Sequence, residues 1–201
     1  TALSIAPERV RAHAHVLLPS AAWGEKQGTV TNSERRISRQ RAFLPSPGDT
    51  KPDWWQLCEV AKRLGFAEAF DYAGPDEIFA EHAALTGVGN DGTRDLDISA
   101  YSAISSVAYD ALEPFQWPRA HHASPSMTRF FANGRFYTPD RRARFVPTPF
   151  RGPASHTSDD YPLVLNTGRV RDQWHTMTRT GKAPRLMSHF AEPFVEIHPV
   201  D

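Results

Sequence analysis

The stretch YPLVLNTGRVRDQWHTMTRTGK at residues 161–182 is the part of the sequence that decides the fold. Its apolar run at 163–165 predicts a buried strand, and small and polar residues follow that run directly. In open α/β sheets, ligands bind at the carboxyl ends of the strands. By that rule, the stretch predicts a ligand site just after the strand, at Asn166, Thr167, Gly168 and Arg169.

The side chains of this stretch suit a nucleotide-like cofactor. Gly168 lets a ligand approach the backbone closely, and Arg169 carries a forked donor that matches phosphate. Trp174 offers a stacking surface, and His175 offers a donor or an acceptor of switchable charge. The residues alone leave a second interpretation open, in which the stretch is a polar connection whose Trp packs in a core and whose arginines face water.

Composition narrows the classes of function. The 201 residues carry 23 basic and 23 acidic side chains, so net charge gives no reason to expect a nucleic-acid or membrane partner. Cys58 is the only cysteine, which excludes an internal disulfide framework, and we expect it to be a packed small apolar residue. No apolar run approaches the roughly 20 residues that span a bilayer. Because the chain starts at Thr1 and stops abruptly at Asp201, we expect a piece of a longer polypeptide. A single cysteine fits a reducing compartment, and we expect the protein to be cytoplasmic.

Helical signals are concentrated in the first half of the chain. Asp53 is predicted to cap a helix over 53–64 that ends at Gly65, and a second helix is predicted from Pro75 to Gly87. Residues 106–113 predict a short third helix. The apolar spacing of the first helix predicts one buried face, formed by Trp54, Leu57, Val60, Ala61 and Leu64.

Strand signals are spread more widely. Apolar runs at 16–18, 143–146 and 194–197 predict strands, as does the Thr29-Val30 pair before a turn at Asn32-Ser33. Asn133-Gly134 between two aromatic triplets predicts a hairpin over 130–137. The Pro- and Gly-rich stretch 147–160 reads as a linker, so we place a domain boundary between residues 1–150 and 151–201.

Three blocks of the chain resemble the molybdopterin oxidoreductases, the dimethyl sulfoxide reductase superfamily. They are TGRVRDQWHTMTRTGK at 167–182, WGEKQGTVTNSERRISRQR at 23–41 and PDWWQLCEVAKRLGF at 52–66, and they occur in the order of the family. Where many relatives have the first His of a His-Trp-His-Thr sequence, this chain has Gln173. That form resembles the assimilatory nitrate reductase branch in particular. The resemblance implies the end of an α/β molybdopterin-oxidoreductase domain over 1–150 and the truncated start of a β-barrel-like molybdopterin dinucleotide-binding domain over 151–201.

The resemblance also implies a cofactor and its contacts. Molybdenum bis(molybdopterin guanine dinucleotide) would take an oxygen atom from nitrate, with electrons from a donor protein or domain. An iron–sulfur cluster is expected in the parent chain but not ligated by these residues, and we expect the piece alone to be inactive. No residue here is assigned to catalysis or to a metal. The implied cofactor contacts are Thr167, Gly168, Arg169, Asp172, Gln173, Trp174, His175 and Thr176.

Other sites and functions receive less support from the sequence. The histidine pairs 13/15 and 121/122 lack the spacing of a zinc site, and no G-x-S-x-G sequence occurs. The arginines at 35, 36, 39 and 41 are interpreted as structural, with Glu25–Lys26 and Glu34–Arg35 or Arg36 as candidate ion pairs. Two alternatives remain: a formate dehydrogenase of the same superfamily, and a module that binds single-stranded nucleic acid through this arginine cluster.

Overall fold

The structure is a computed structural model, and it describes residues 12–121, 129–170, 172–173, 180–190 and 192–201. The chain divides into two compact units. One unit consists of Leu18–Val146, and the other contains Pro147–Asp201 together with the segment that ends at Leu17.

A small antiparallel sheet organises the larger unit. Its strands are β1 (Gly28–Thr31), β2 (Arg36–Gln40) and β3 (Phe115–Gln116), in the order β1-β2-β3. The predicted turn between β1 and β2 is confirmed, because the Asn32 side chain accepts hydrogen bonds from the backbone N–H groups of Glu34 and Arg36. Such side-chain bonds to the following backbone are the reason that Asn favours turns.

The first helix, α1 (Asp53–Arg63), has nearly the predicted bounds. Gly65 follows it at φ +94°, a conformation that glycine adopts without strain. The prediction that Asp53 caps the helix is wrong: Pro52 occupies that position, and Asp53 binds Lys26 instead. The predicted buried face is also wrong. Leu57 and Leu64 are 68% and 70% exposed, while Cys58 is buried as expected, because α1 does not pack on the hydrophobic core.

The two other predicted helices are present as α2 (Pro75–Gly87) and α3 (Ser106–Asp110). Ser105 caps α3, since its Oγ accepts from the backbone N–H of Ala108 at 3.2 Å. These helices pack on the sheet around one hydrophobic cluster, which is the core of the unit. Its buried members are Ile37, Phe79, Ala83, Ile98, Tyr109, Leu112 and Phe115.

The predicted hairpin over 130–137 does not form. The segment is a run of turns in which the backbone N–H of Gly134 donates to the carbonyl of Phe131 at 2.9 Å. The rings of Phe131 and Phe136 stack with centroids 4.5 Å apart, so the aromatic residues pack on each other and no strands pair. The strands predicted at 16–18 and 143–146 are wrong too, because both runs are exposed and lack a strand to pair with.

The unit that contains Pro147–Asp201 has little regular structure in its described residues. A 3₁₀ turn at Thr180–Lys182 leads into a one-turn helix, α4 (Pro184–Met187). The strands predicted at 163–165 and 194–197 are wrong: Leu165 is 89% exposed and Val195 is 79% exposed, and neither run pairs with another strand. The coarse α/β character is therefore found in the larger unit, and the β-barrel stays a prediction.

Candidate functional site

Residues 166–169 lie on exposed chain without regular secondary structure. Thr167, Gly168 and Arg169 are among these exposed residues. A Cβ atom added to Gly168 would meet no heavy atom of the protein within 4 Å. This backbone is therefore open to a ligand, although it does not stand at the end of a strand as the sequence predicted.

Gln173 is held by two hydrogen bonds from opposite ends of its side-chain amide. Its Oε1 accepts from the hydroxyl of Thr180 at 2.5 Å, and its Nε2 donates to the carbonyl of Phe190 at 2.9 Å. Thr180 is only 6% exposed, so the hydroxyl is shielded from competing water. Because one end accepts and the other donates, the two partners fix the orientation of the amide.

Asp172 makes a second tie to the same following segment. Its Oδ2 lies 2.6 Å from Nδ1 of His189, and the Asp172 side chain is 16% exposed while that of His189 is 48% exposed. An oxygen of a carboxylate accepts, so Nδ1 of His189 carries the proton in this contact. Neighbouring residues 172 and 173 are thus both bonded to the segment 180–190.

Of the eight predicted cofactor contacts, the structure describes five. Asp172 and Gln173 are brought together with segment 180–190, and the other three lie on the exposed chain before them. Trp174, His175 and Thr176 lie outside the described residues. The sequence reasoning missed Thr180 and His189, because nothing in residue type or spacing indicated which side chains they would contact.

The second sequence block, 23–41, is structural in its described contacts. The ion pair predicted between Glu25 and Lys26 is wrong, because Lys26 binds Asp53 and the Glu25 carboxylate accepts from the backbone N–H of Ala22 at 2.7 Å. Among the described contacts, the Glu34 carboxylate makes no ion pair with Arg35 or Arg36, whereas its backbone N–H donates to Asn32 Oδ1. The block therefore joins the sheet to the start of α1.

Three of the four arginines of this block are bonded to the protein, and the fourth, Arg36, is exposed. The Arg39 side chain is 1% exposed and binds Asp110 at 2.9 Å, and Arg41 donates to the Asp110 carbonyl. The guanidinium of Arg35 donates to the carbonyl of Trp117 and lies over the ring of Phe130. Arginines committed to the protein in this way cannot also track a nucleic-acid backbone, so the structural interpretation is the better one.

The larger unit also contains a cavity of about 880 Å³. All of its lining residues lie between Ala84 and Arg141, and Phe131 and Arg141 are among them. Both of these residues have a φ near +60°, which is uncommon for residues other than glycine.

Across the residues that the structure describes, no three His, Cys, Asp or Glu side chains form a group that could hold a metal ion. No helix in the described part of the chain is both long enough and apolar enough to cross a membrane.

Comparison with known proteins agrees with the resemblance of the sequence blocks. Residues 7–63 match the molybdopterin oxidoreductase family, and residues 163–201 match the molybdopterin dinucleotide-binding domain. A nitrate reductase from Klebsiella oxytoca is 52% identical over 94% of this chain and 21% of its own length. One from Shewanella frigidimarina is 43% identical over 92% of this chain and 20% of its own length.

A relative with another name is less similar. The F420-dependent formate dehydrogenase subunit alpha of Methanocaldococcus jannaschii is 32% identical over 94% of this chain and 26% of its own length. The chain thus spans about a fifth to a quarter of the length of the curated relatives it matches. Since both family matches fall on one chain and these relatives align with more than nine-tenths of it, the chain belongs to the molybdopterin oxidoreductases.

Proposed function

We propose that this chain is part of a nitrate reductase and that residues 167–176 contribute to its site for molybdopterin guanine dinucleotide. The observation that supports the proposal most strongly is the open backbone at Gly168, with no protein atom within 4 Å of an added Cβ, inside the match to the dinucleotide-binding domain. The identity of 52% to a nitrate reductase supports the choice of nitrate as the substrate.

The described residues fit such a cofactor in their chemistry. Arg169 and the hydroxyl of Thr167 are exposed donors on either side of Gly168, and donors of this kind bind phosphate and ring oxygens. Gly168 allows those oxygens to approach the backbone. Trp174, His175 and Thr176 are proposed to line the pterin, where hydrogen bonds tune the electronics of the cofactor.

The bound cofactor would supply the oxygen-atom transfer that reduces nitrate to nitrite. The residues of this chain would bind and orient the cofactor, and a donor protein or domain would deliver the electrons. We further propose a cytoplasmic enzyme of nitrate assimilation, with an iron–sulfur cluster ligated elsewhere in the parent chain. The 201 residues alone are expected to produce no nitrite.

The experiment that tests the site replaces His175 with Ala in the complete parent enzyme. Molybdenum content and nitrate turnover are measured against a His156→Ala control, since His156 is exposed and lies outside residues 167–176 in the sequence. We expect His175→Ala to lower molybdenum content or turnover and His156→Ala to leave both unchanged. Unchanged values for His175→Ala would remove this residue from the site.

A formate dehydrogenase is the second candidate, because the relative of 32% identity carries that name. The same complete enzyme distinguishes the two functions when it is assayed with nitrate and a reduced donor, and separately with formate and an oxidised acceptor. Nitrite production without formate oxidation supports the first proposal. Formate oxidation without nitrite production would replace it with the second.

A further inference from the structure

Asp172 and Gln173 are hydrogen-bonded to His189 and Thr180 of segment 180–190. The resemblance to the family gives neither Thr180 nor His189 a role. We infer that Thr180 and His189 are positioning residues, which hold the cofactor loop in its binding conformation without touching the cofactor. This inference rests on the proposed function, since it requires that the loop binds a cofactor.

Thr180 fixes the side chain of Gln173. The hydroxyl of Thr180 donates to Gln173 Oε1 at 2.5 Å, and the other end of the amide donates to the Phe190 carbonyl at 2.9 Å. Thr180 is buried, whereas Ser188 on the same segment is exposed, and among the described contacts its hydroxyl donates only to the nearby Arg185 carbonyl. The Thr180 hydroxyl therefore has a partner that a neighbouring hydroxyl lacks.

The hydrogen bond between Thr180 and Gln173 joins two residues that are seven positions apart in the sequence. Trp174, His175 and Thr176, three of the proposed cofactor contacts, lie in the sequence between Gln173 and Thr180. Joining the two ends lowers the conformational entropy that the connecting residues would lose when they bind a ligand. We therefore expect cofactor retention to depend on a hydrogen bond whose donor, Thr180, is not itself a proposed cofactor contact.

His189 acts on the residue next to Gln173. Its Nδ1 lies 2.6 Å from Asp172 Oδ2, and this contact holds the Asp172 carboxylate against segment 180–190. Thr180 and His189 therefore hold two adjacent residues, Gln173 and Asp172, against the same segment.

A test uses the complete parent enzyme loaded with its cofactor. Thr180→Val removes the hydroxyl donor at similar side-chain volume, whereas Thr180→Ser keeps the hydroxyl. His189→Phe removes the hydrogen bond to Asp172. Ser188→Ala serves as the control on the same segment. Two quantities are measured: the rate at which molybdenum is lost on dilution, and the melting temperature of the cofactor-free enzyme. If the two residues were purely structural, their substitution would lower that melting temperature.

The inference predicts that Thr180→Val and His189→Phe release molybdenum about tenfold faster, the factor expected for loss of one hydrogen bond. Thr180→Ser and Ser188→Ala should behave as the unmodified enzyme, and the melting temperature of the cofactor-free enzyme should not change. His189→Phe is informative even where Thr180→Val fails to fold, because the His189 side chain is half exposed. Unchanged release by His189→Phe would overturn the inference.

Arg169→Ala separates the two proposals, since it tests a direct cofactor contact. Faster release by Arg169→Ala with unchanged release by Thr180→Val and His189→Phe overturns the positioning role and leaves the proposed function standing. Unchanged release by all three variants overturns the proposed function, and the positioning role falls with it.

Discussion

The guanidinium of Arg39 lies over the ring of Tyr109, with its Cζ 4.1 Å from the ring centroid, and its Nε donates to the Tyr109 carbonyl at 3.0 Å. The same guanidinium also donates to the carbonyls of Gly28 and Gln40 and to the side chain of Gln27, each within 3.0 Å. One buried side chain therefore joins both strands of the hairpin to the chain at the end of α3.

We expect Arg39→Ala to lower the free energy of unfolding by about 3 kcal/mol, because several acceptors lose their donor and the packing on Tyr109 is lost. Urea unfolding of the 201-residue chain measures the change. Arg36→Ala is the matched control, since Arg36 is exposed on the same strand, and it should cost no more than about 0.5 kcal/mol. Equal effects of the two variants would contradict the structural role of Arg39.

Arg141 adopts a φ of +60°, where side chains other than glycine are strained. Relief of this strain gains about 1–2 kcal/mol, and the extra freedom of glycine in the unfolded chain costs about 0.5–1 kcal/mol. Arg141→Gly should therefore raise the free energy of unfolding slightly, by about 0.5–1 kcal/mol. Arg142→Gly, at a position without a positive φ, should lower it by a similar amount in the same denaturant assay. A loss of stability in both variants would speak against a strained Arg141.

Gly168→Ala tests whether glycine is required at this position for cofactor binding or for folding. A Cβ at Gly168 meets no protein atom within 4 Å, so the melting temperature of the chain should stay unchanged. In the complete enzyme, the added methyl group would occupy the space that the cofactor requires, and molybdenum content should fall severalfold. Gly28→Ala is the control, because its surroundings are equally open and it lies outside the proposed site. Full molybdenum content in Gly168→Ala would show that no ligand approaches this backbone.

Cys58 should react slowly with thiol reagents in the folded chain. Burial raises the pKa of its thiol above the ordinary value of 9.0, and the nearby Lys62 opposes this only in part. Since the thiolate is the reactive form, labelling with a disulfide reagent at pH 8 should be at least about tenfold slower in the folded chain than in urea. The Cys58→Ser variant gives the background signal. Equal rates in buffer and in urea would mean that the thiol is accessible.

The raised pKa of Cys58 also sets a direction for stability against pH. The folded state holds the thiol proton more tightly than the unfolded state does, so this contribution is complete below about pH 9. It is lost as the pH rises through the folded pKa. Urea unfolding of the unmodified chain should therefore show a decline above pH 9 that is smaller in Cys58→Ser.

The helices were predictable because their signals are local. Pro75 fixes the backbone at the start of α2, and Gly65 accepts the positive φ that ends the helix before it. The buried face of α1 was not predictable, because burial depends on what packs against a helix. Leu57 and Leu64 have the spacing of a core stripe, yet they are exposed in this chain.

The hairpin prediction separates a turn from strand pairing. The chain does reverse near Asn133-Gly134, as those residues predict, with Gly134 at φ +71°. The turn begins at Phe131, however, whose φ of +62° directs its ring onto Phe136. The rings of Phe131 and Phe136 stack on each other, and the two segments do not pair as strands. The local sequence is compatible with either arrangement, so it could not predict which one forms.

The candidate site was predictable only in part, for a similar reason. Residues 167–176 could be singled out because their types and order carry the chemistry of a cofactor loop. Thr180 and His189 could not, because their contacts with Gln173 and Asp172 exist only once the segments are folded together. Residue chemistry can be read from the sequence, whereas the partners that hold a residue in place come from the fold.

The sheet of the larger unit affects when this unit can fold during synthesis. Ile37 of β2 pairs with Phe115 of β3, so the pairing of these strands cannot form until the much later residue Phe115 has been synthesised. Until the ribosome has passed Phe115, the cluster around Ile37 lacks one of its buried members, and closure over so long a span slows folding. We therefore expect this unit to complete its core only after Phe115 has been made, with Ile37 incompletely covered until then.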